Sequence, residues 1–138
     1  MILIDTSAWV EYLRATGTLV HTEVRRLIER DADLATTDPV VMEVLAGARD
    51  EDHAKDLRRL LARFRHLPVE GLTDYEGAAS VYRSCRVRGS TPRSLVDCLI
   101  AAVAIRENAS ILHHDRDYST IAAHTSLRLH ASGADATA

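Results

Sequence analysis

Four acidic residues are spaced along this sequence in a way that predicts a metal site: Asp5, Glu43, Asp97 and Asp115. Carboxylates that lie close together repel each other unless they are protonated or bridged by cations. A set of oxygen ligands without cysteine suits Mg²⁺ or Mn²⁺. The pattern therefore predicts hydrolysis of a phosphodiester bond. In such a reaction one or two ions lower the pKa of an attacking water and neutralise charge on the scissile phosphate.

Two of these acids follow apolar runs. Asp5 comes directly after Ile2–Ile4, and Asp115 comes shortly after a second such run. A continuous apolar run is typical of a strand covered on both faces in a parallel sheet, and ligands collect at the carboxyl ends of such strands. The simpler alternative is that Asp5 only begins a turn. The hydroxyls of Thr6 and Ser7 can cap the next helix or hold the Asp5 carboxylate in place.

The other two acids lie in predicted helices. Glu43 is the only charged residue between Asp38 and Arg49, and an acid with apolar neighbours on both sides seldom lacks a partner or a metal. Asp97 lies in the first turn of the most apolar helix, which begins at Ser94. A structural alternative is strong here, because Ser-x-x-Asp at a helix start resembles a capping pair and an acid there also suits the helix dipole.

Strands and helices alternate along the chain with short links between them. Helical periodicity fills the segments between apolar runs, and those runs predict strands over residues 2–4, 34–36, 67–72, 111–113 and 127–129. Thr73 and Glu76 form a predicted capping box at the start of one helix. This order predicts a single α/β domain, with a short parallel sheet flanked by helices on both faces. We assign that domain to residues 1–130 and predict a disordered tail over residues 131–138.

Composition limits the function further. A chain of 138 residues has room for one core, and its net charge of −3 argues against binding nucleic acid by bulk charge. No apolar run is long enough to cross a bilayer and no secretory signal is recognisable, so we expect a cytoplasmic protein without membrane contact. Cys85 and Cys98 lack metal-ligand spacing and are predicted to be buried thiols.

A local cluster of arginines is a candidate for contacts with nucleic-acid phosphates. Arg86, Arg88 and Arg93 lie around the end of a predicted helix and the following Ser-Thr-Pro loop. Such a group can contact a phosphate backbone. Ordinary surface charge explains the cluster at least as well.

Four spaced motifs resemble those of one protein family. They are ILIDTSAWVEYL at the start, PVVMEVLAG around Glu43, DCLIAAVAI from Asp97 and ILHHDRDY around Asp115. Over nearly its whole length the sequence resembles PIN-domain ribonucleases of the VapC toxin type. The resemblance implies an endoribonuclease that depends on Mg²⁺, for which Mn²⁺ can substitute.

The resemblance also implies roles for individual residues. The catalytic quartet would be Asp5, Glu43, Asp97 and Asp115. Three of them would bind the metal, namely Asp5, Asp97 and Asp115. Thr6 would support the first carboxylate and Asp117 would be an auxiliary acid, although which of Asp115 and Asp117 binds metal directly stays open. Tyr118 stands where this family often has phenylalanine.

Partners follow from the same resemblance. The chain would be a toxin held in check by a small antitoxin of the VapB type, whose tail would insert an arginine among the four carboxylates, since a guanidinium makes bidentate hydrogen bonds to carboxylate. We expect a homodimer, which would contact operator DNA only through the antitoxin. The RNA that is cleaved does not follow from the acids, and transfer RNA or ribosomal RNA is an expectation at the level of the family.

Other protein classes that place acids at strand ends fit less well. A phospho-accepting receiver domain needs a lysine after a late strand, whereas Lys55, the only lysine, lies in the middle of a helix. A haloacid-dehalogenase phosphatase needs a second aspartate two positions after the first, where this chain has Ser7. Two alternatives stay open: a catalytically silent PIN-like module that binds RNA or protein, and a housekeeping RNA-processing nuclease. Metal-dependent cleavage separates the silent module from an enzyme.

Overall fold

A computed structural model describes residues 1–132 of the chain, and residues 133–138 lie outside this described part. Strands and helices alternate in it, as the sequence predicts. The strands are β1 (Ile2–Ile4), β2 (Leu34–Thr37), β3 (Arg65–Leu67), β4 (Ser110–Leu112) and β5 (Arg128–Leu129). The helices are α1 (Thr6–Leu13), α2 (Leu19–Glu29), α3 (Asp38–Ala46), α4 (Glu51–Leu61), α5 (Gly71–Val87), α6 (Leu95–Arg106) and α7 (Arg116–His124).

The five strands found in residues 1–132 form one parallel sheet, in the order β3, β2, β1, β4, β5. β1 is central, and its residue Ile2 pairs with Leu34 of β2 on one side and with Ser110 of β4 on the other. The chain moves outward from β1 through β2 and β3, then returns to the far side of β1 for β4 and β5. The direction of winding therefore reverses between β1 and β4, and open parallel sheets bind ligands at the carboxyl end of that switch point.

The helices pack in two groups around the sheet. One group contains α1 to α4, in which α1 contacts α2 and α3 and α3 contacts α4, whereas α5, α6 and α7 contact one another in the second group. Right-handed crossovers that run in opposite directions along the sheet place the two groups on opposite faces. The predicted α/β architecture is confirmed. Every residue of α6 from Asp97 to Ala104 is buried, and Cys85 and Cys98 are buried free thiols, as predicted.

One predicted element boundary is wrong. β3 ends at Leu67 and α5 begins at Gly71, so the predicted strand over residues 67–72 is displaced and the proposed capping box of Thr73 and Glu76 lies inside the helix. The reason is a contact between distant parts of the chain. Asp74 accepts a hydrogen bond of 2.6 Å from the Glu70 N–H, and it is held by two hydrogen bonds of 2.9 Å from Arg106 of α6. This pairing fixes the first turn of α5 earlier than the local pattern indicates.

The carboxyl end of the described chain is packed against the domain. The N–H of His130 donates to the Ile111 carbonyl at 2.8 Å, and Ser132 is only 3% exposed. Residues 133–138 of the predicted tail lie outside the described part, and the boundary at residue 130 stays a prediction. Within residues 1–132, no helix has the length and apolar character needed to cross a membrane.

We expect Arg106→Ala to destabilise the fold by about 3 kcal/mol, because it leaves the buried Asp74 carboxylate without its partner. Arg106 holds the pKa of Asp74 below its usual range. A lowered pKa contributes stability above the pKa of the unfolded chain and loses it as the pH falls through the folded value. Urea denaturation should therefore show a gap between variant and parent at pH 7 that narrows in acid.

The matched control for this experiment is Arg65→Ala. Arg65 pairs with Asp33 at 3.0 Å, but both side chains are more than half exposed. An exposed pair of this kind contributes about 1 kcal/mol or less. Equal losses of unfolding free energy in the two variants would contradict the importance assigned to the pair of Arg106 and Asp74.

Candidate active site

The acids meet at the carboxyl edge of the sheet, at the switch point between β1 and β4. Ile4 pairs with Leu112, and the Asp5 N–H continues the ladder by donating to the Leu112 carbonyl at 3.0 Å. Asp5 follows β1 directly, and Asp115 follows β4 after two intervening residues. Each serves as the N-cap of the next helix, α1 and α7 respectively. The parallel register thus brings together two carboxylates that are 110 positions apart in the sequence.

Asp5 is buried, and both of its carboxylate oxygens are held by hydroxyl groups. Its Oδ2 accepts hydrogen bonds from the Ser7 N–H at 2.9 Å and the Ser7 hydroxyl at 2.6 Å. Its Oδ1 accepts a hydrogen bond of 2.6 Å from the Tyr118 hydroxyl. Burial raises the pKa of Tyr118 well above its usual range, so the phenol keeps its proton and acts as a donor.

Glu43 faces the same cluster from α3. The Thr6 hydroxyl donates to Glu43 Oε1 at 2.8 Å. The predicted support of Asp5 by Thr6 is therefore not what the structure shows: Ser7 holds Asp5, and Thr6 holds the fourth acid. Burial raises the pKa of Glu43, the Thr6 hydrogen bond lowers it, and the negative charges of Asp5 and Asp115 raise it further.

Asp97 is the most perturbed of the acids. Burial, together with the negative charges of Asp5 and Asp115, raises its pKa to about 8. Its Oδ1 lies 3.3 Å from the Tyr118 hydroxyl, whereas its buried Oδ2 receives no hydrogen bond from any donor in the described residues. The α6 start is capped by the Ser94 side chain, which accepts from the Asp97 N–H at 3.3 Å. The Asp97 carboxylate itself is turned to the acid cluster.

Arg93 bridges the two acids of the ILHHDRDY motif. The Arg93 guanidinium donates to Asp115 Oδ1 at 3.1 Å and to Asp117 Oδ1 at 3.2 Å. The Arg93 backbone N–H donates to Asp117 Oδ2 at 2.9 Å. Both oxygens of Asp117 are thus engaged with one residue. Its position in the sequence predicts that Arg93 contacts nucleic acid together with Arg86 and Arg88, but in the structure its hydrogen bonds go to the protein's own acids.

Comparison with known proteins identifies the family. A family model described as the PIN domain matches residues 2–124. Ribonuclease VapC11 of Mycobacterium tuberculosis is 50% identical to this chain over 129 residues, which cover 93% of this chain and 96% of that protein. This chain belongs to the VapC ribonucleases of the PIN-domain family.

Solved structures agree with this family at the level of the fold. VapBC2 from Rickettsia felis, bound to a DNA fragment from its promoter, superposes with a TM-score of 0.73 at 17% identity, covering 94% of this chain and 98% of that one. VapC20 of Mycobacterium tuberculosis, described as a toxin that cleaves the sarcin-ricin loop, gives a TM-score of 0.68 at 21% identity, covering 93% and 99%.

The donors of this VapC fold fit a divalent cation. Among residues 1–132, Asp97, Asp115 and Asp117 can each offer one carboxylate oxygen to a cation, and these three oxygens lie within 4.8 Å of one another. The ligand set is all oxygen, as Mg²⁺ and Mn²⁺ prefer. The side chains of Asp97 and Asp115 lie within hydrogen-bonding reach of each other, and two carboxylates in such contact need a proton or a cation between them. Asp5 adjoins this group through the shared Tyr118 hydroxyl.

The remaining sequence candidates in this VapC chain lie apart from the acids. Arg86 and Arg88 are exposed at the carboxyl end of α5, where they line a surface cavity of about 390 Å³ with Arg83 and His124. Their role in binding RNA stays a prediction. Tyr118 is a partner of the acids that the sequence does not predict, since its position three residues after Asp115 does not reveal which way the ring points.

We expect the stability of the metal-free protein to fall as the pH rises from about 5 to 8. Asp97 has a folded pKa of about 8, so over this range the folded chain keeps a proton that the unfolded chain, with a pKa near 4, has lost. Asp97→Asn removes this dependence. In EDTA at pH 8 the variant should be more stable than the parent by about 1–3 kcal/mol, and at pH 5 the two should match.

Denaturation in urea at pH 5, 7 and 8 measures this effect, with Asp56→Asn as the control because that side chain is 71% exposed. Cation binding requires the deprotonated acid, so Mn²⁺ should stabilise the parent more at pH 8 than at pH 6. Parallel pH profiles for the parent and Asp97→Asn would show that Asp97 does not carry the proton assigned to it.

Proposed function

We propose that this chain is a metal-dependent endoribonuclease that acts as the toxin of a toxin-antitoxin pair. The observation that carries the proposal is the meeting of acids from four different elements at one sheet edge: Asp5 after β1, Glu43 in α3, Asp97 in α6 and Asp115 after β4. Buried like charges are costly for a fold. Their concentration at the switch point is therefore best explained by a cation and by chemistry there.

In this proposal Asp5, Asp97 and Asp115 hold the cation, which is Mg²⁺ with Mn²⁺ as a substitute. When bound, the ion would supply Lewis-acid chemistry that lowers the pKa of an attacking water and neutralises charge on the scissile phosphate. Glu43 completes the catalytic quartet. Thr6 occupies its Oε1, so Oε2 is available to accept a proton from the water, and a raised pKa makes the carboxylate a better base.

Asp117 has a supporting role in the proposal. Both of its oxygens accept hydrogen bonds from Arg93, which fixes the loop before α6 against the start of α7. Asp115 is 28% exposed in its side chain, whereas Asp117 is 7% exposed. The positively charged Arg93 engages both oxygens of Asp117 but only Oδ1 of Asp115. Asp115 is therefore assigned as the ligand, and Asp117 as the acid that positions its surroundings.

RNA is the proposed substrate. Its phosphates are negatively charged, so binding them requires positively charged side chains, which the acids of the site do not provide. The relative VapC11 is named as a ribonuclease, which supports RNA as the substrate class. Arg86 and Arg88 are exposed at the end of α5 and are proposed to contact the RNA backbone. Arg93 joins them only if the substrate or cation releases it from Asp115. The particular RNA is not assigned.

We also propose a cognate antitoxin of the VapB type. Several structural neighbours are VapBC complexes, including VapBC2 with promoter DNA, and another is a toxin-antitoxin complex from Klebsiella pneumoniae. Arg93 illustrates how a guanidinium fits these carboxylates, so an arginine in an antitoxin tail can occupy the remaining acids. A homodimer of the nuclease, operator DNA bound only through the antitoxin, and action in the cytoplasm complete the proposal.

We expect Asp5→Asn to abolish Mg²⁺-dependent cleavage while the protein stays folded. Asparagine caps a helix as well as aspartate does, but it removes the charge that binds the cation. The loss should exceed the roughly 10- to 100-fold effect of changing a group outside the ligand shell. Mapping new RNA 5′ ends after incubating the purified protein with bacterial RNA measures the cleavage and identifies the substrate.

Asp50→Asn is the matched control for this variant. Asp50 is the N-cap of α4 and accepts a hydrogen bond of 2.7 Å from the His53 N–H, so the control makes the same chemical change at the cap of a helix that carries none of the four acids. It should cleave like the parent. Undiminished cleavage by Asp5→Asn would refute the site, and no cleavage by the parent would favour a silent binding module.

The antitoxin can be tested in growing cells. Expression of this chain alone should arrest growth, and co-expression with the small gene encoded beside it should restore growth and yield a complex that copurifies. Changing the arginine near the carboxyl end of that partner to alanine should restore ribonuclease activity, because the acids regain access to the cation. Cells that grow normally with the chain alone would indicate a housekeeping nuclease.

A further inference from the structure

Tyr118 is completely buried beneath the acid cluster. It is the third residue of α7, and the helix is capped by Asp115. The start of α7 therefore places Asp115 in the site and the Tyr118 ring beneath Asp5 and Asp97. The ring packs against His113, with the ring centroids 5.4 Å apart.

The hydroxyl of this ring serves two carboxylates at once. It donates to Asp5 Oδ1 at 2.6 Å and lies 3.3 Å from Asp97 Oδ1. A phenol has one proton, so the shorter contact takes most of it and the longer one shares it. The two Oδ1 atoms are thus held near one polar atom that carries no charge, although each belongs to a residue from a different element.

This arrangement determines which oxygens remain for a ligand. Both oxygens of Asp5 are engaged, Oδ1 by Tyr118 and Oδ2 by Ser7, so its carboxylate cannot rotate freely. In Asp97, Tyr118 contacts Oδ1, and the buried Oδ2 receives no hydrogen bond within residues 1–132. The hydroxyl therefore restrains Oδ1 of each carboxylate and leaves Oδ2 of Asp97, which receives no hydrogen bond within residues 1–132, to meet a cation.

We propose that Tyr118 is a positioning residue of the cation site, whose hydroxyl holds the carboxylates of Asp5 and Asp97 in the orientation that a divalent cation needs. The inference rests on the proposed function, because it assumes that these acids bind the cation. It goes beyond that function in assigning a role to a side chain that touches neither RNA nor the reacting atoms. Preorganised ligands bind more tightly because less ordering is left for the binding step.

The test is Tyr118→Phe, which keeps the ring and removes only the hydroxyl. The full-length protein is titrated with Mn²⁺ alone by isothermal calorimetry, and the free ion is followed by electron paramagnetic resonance. We expect the Kd for Mn²⁺ to rise about 10-fold or more, within the 10- to 100-fold range found for partners of metal ligands. The Mn²⁺ concentration that gives half-maximal RNA cleavage should rise by the same factor.

Saturating Mn²⁺ separates positioning from catalysis in this variant. A residue that only orients ligands should allow the rate at saturation to recover to near that of the parent, whereas a direct role in the reaction would leave kcat low at any Mn²⁺ concentration. Melting in EDTA reports on folding. A lower melting temperature with an unchanged Kd would mean that the hydroxyl is merely structural and would overturn the proposal.

Tyr82→Phe is the control. Tyr82 is half-buried in α5, and its ring lies 6.0 Å from the guanidinium carbon of Arg86 rather than against the acids. It should bind Mn²⁺ like the parent. If the parent binds Mn²⁺ and Tyr118→Phe binds equally well or more tightly, the positioning role is wrong and the proposed function stands. If the parent does not bind Mn²⁺ at all, both are wrong.

Discussion

Repulsion among carboxylates dominates the carboxyl edge of the sheet. The sheet edge brings together Asp5, Glu43, Asp97, Asp115 and Asp117, and several of them are buried where water cannot screen their charge. Each acid is compensated differently. Hydroxyl groups donate hydrogen bonds to Asp5 and Glu43. The guanidinium of Arg93 pairs with Asp115 and Asp117. Asp97 keeps a proton at neutral pH when no cation is bound. A fold that only needed stability would place apolar side chains there.

Local patterns in the sequence predict the alternation of strands and helices and the four acids that are proposed for the site. A continuous apolar run specified β1, and the Ser94 cap with the apolar stretch after it specified α6. These signals are contained within a few neighbouring residues, so they survive without knowledge of the fold. The start of α5 could not be predicted in the same way, because it depends on Asp74 meeting Arg106, 32 positions along the chain.

The partners of the acids were harder to predict than the acids themselves. Thr6 and Ser7 are adjacent hydroxyl residues after Asp5, and consecutive side chains on a helix point about 100° apart. The sequence does not say which of them faces Asp5 and which faces Glu43. Arg93 was grouped with Arg86 and Arg88 by its place in the sequence, but the α7 acids lie within its reach only after β4 has paired with β1.

The central position of β1 also determines when the proposed nuclease can first exist. β1 is made from residues 2–4, whereas β4, Asp115 and Tyr118 are made over 100 residues later. Two strands so far apart in sequence pair only after the long segment between them has been made and has closed into a loop. A chain still being translated therefore has Asp5 without its neighbouring strand and without the hydroxyl that orients it. The proposed site therefore cannot form until residue 118 has been synthesised, and a chain that stops before Asp115 lacks one of the four acids.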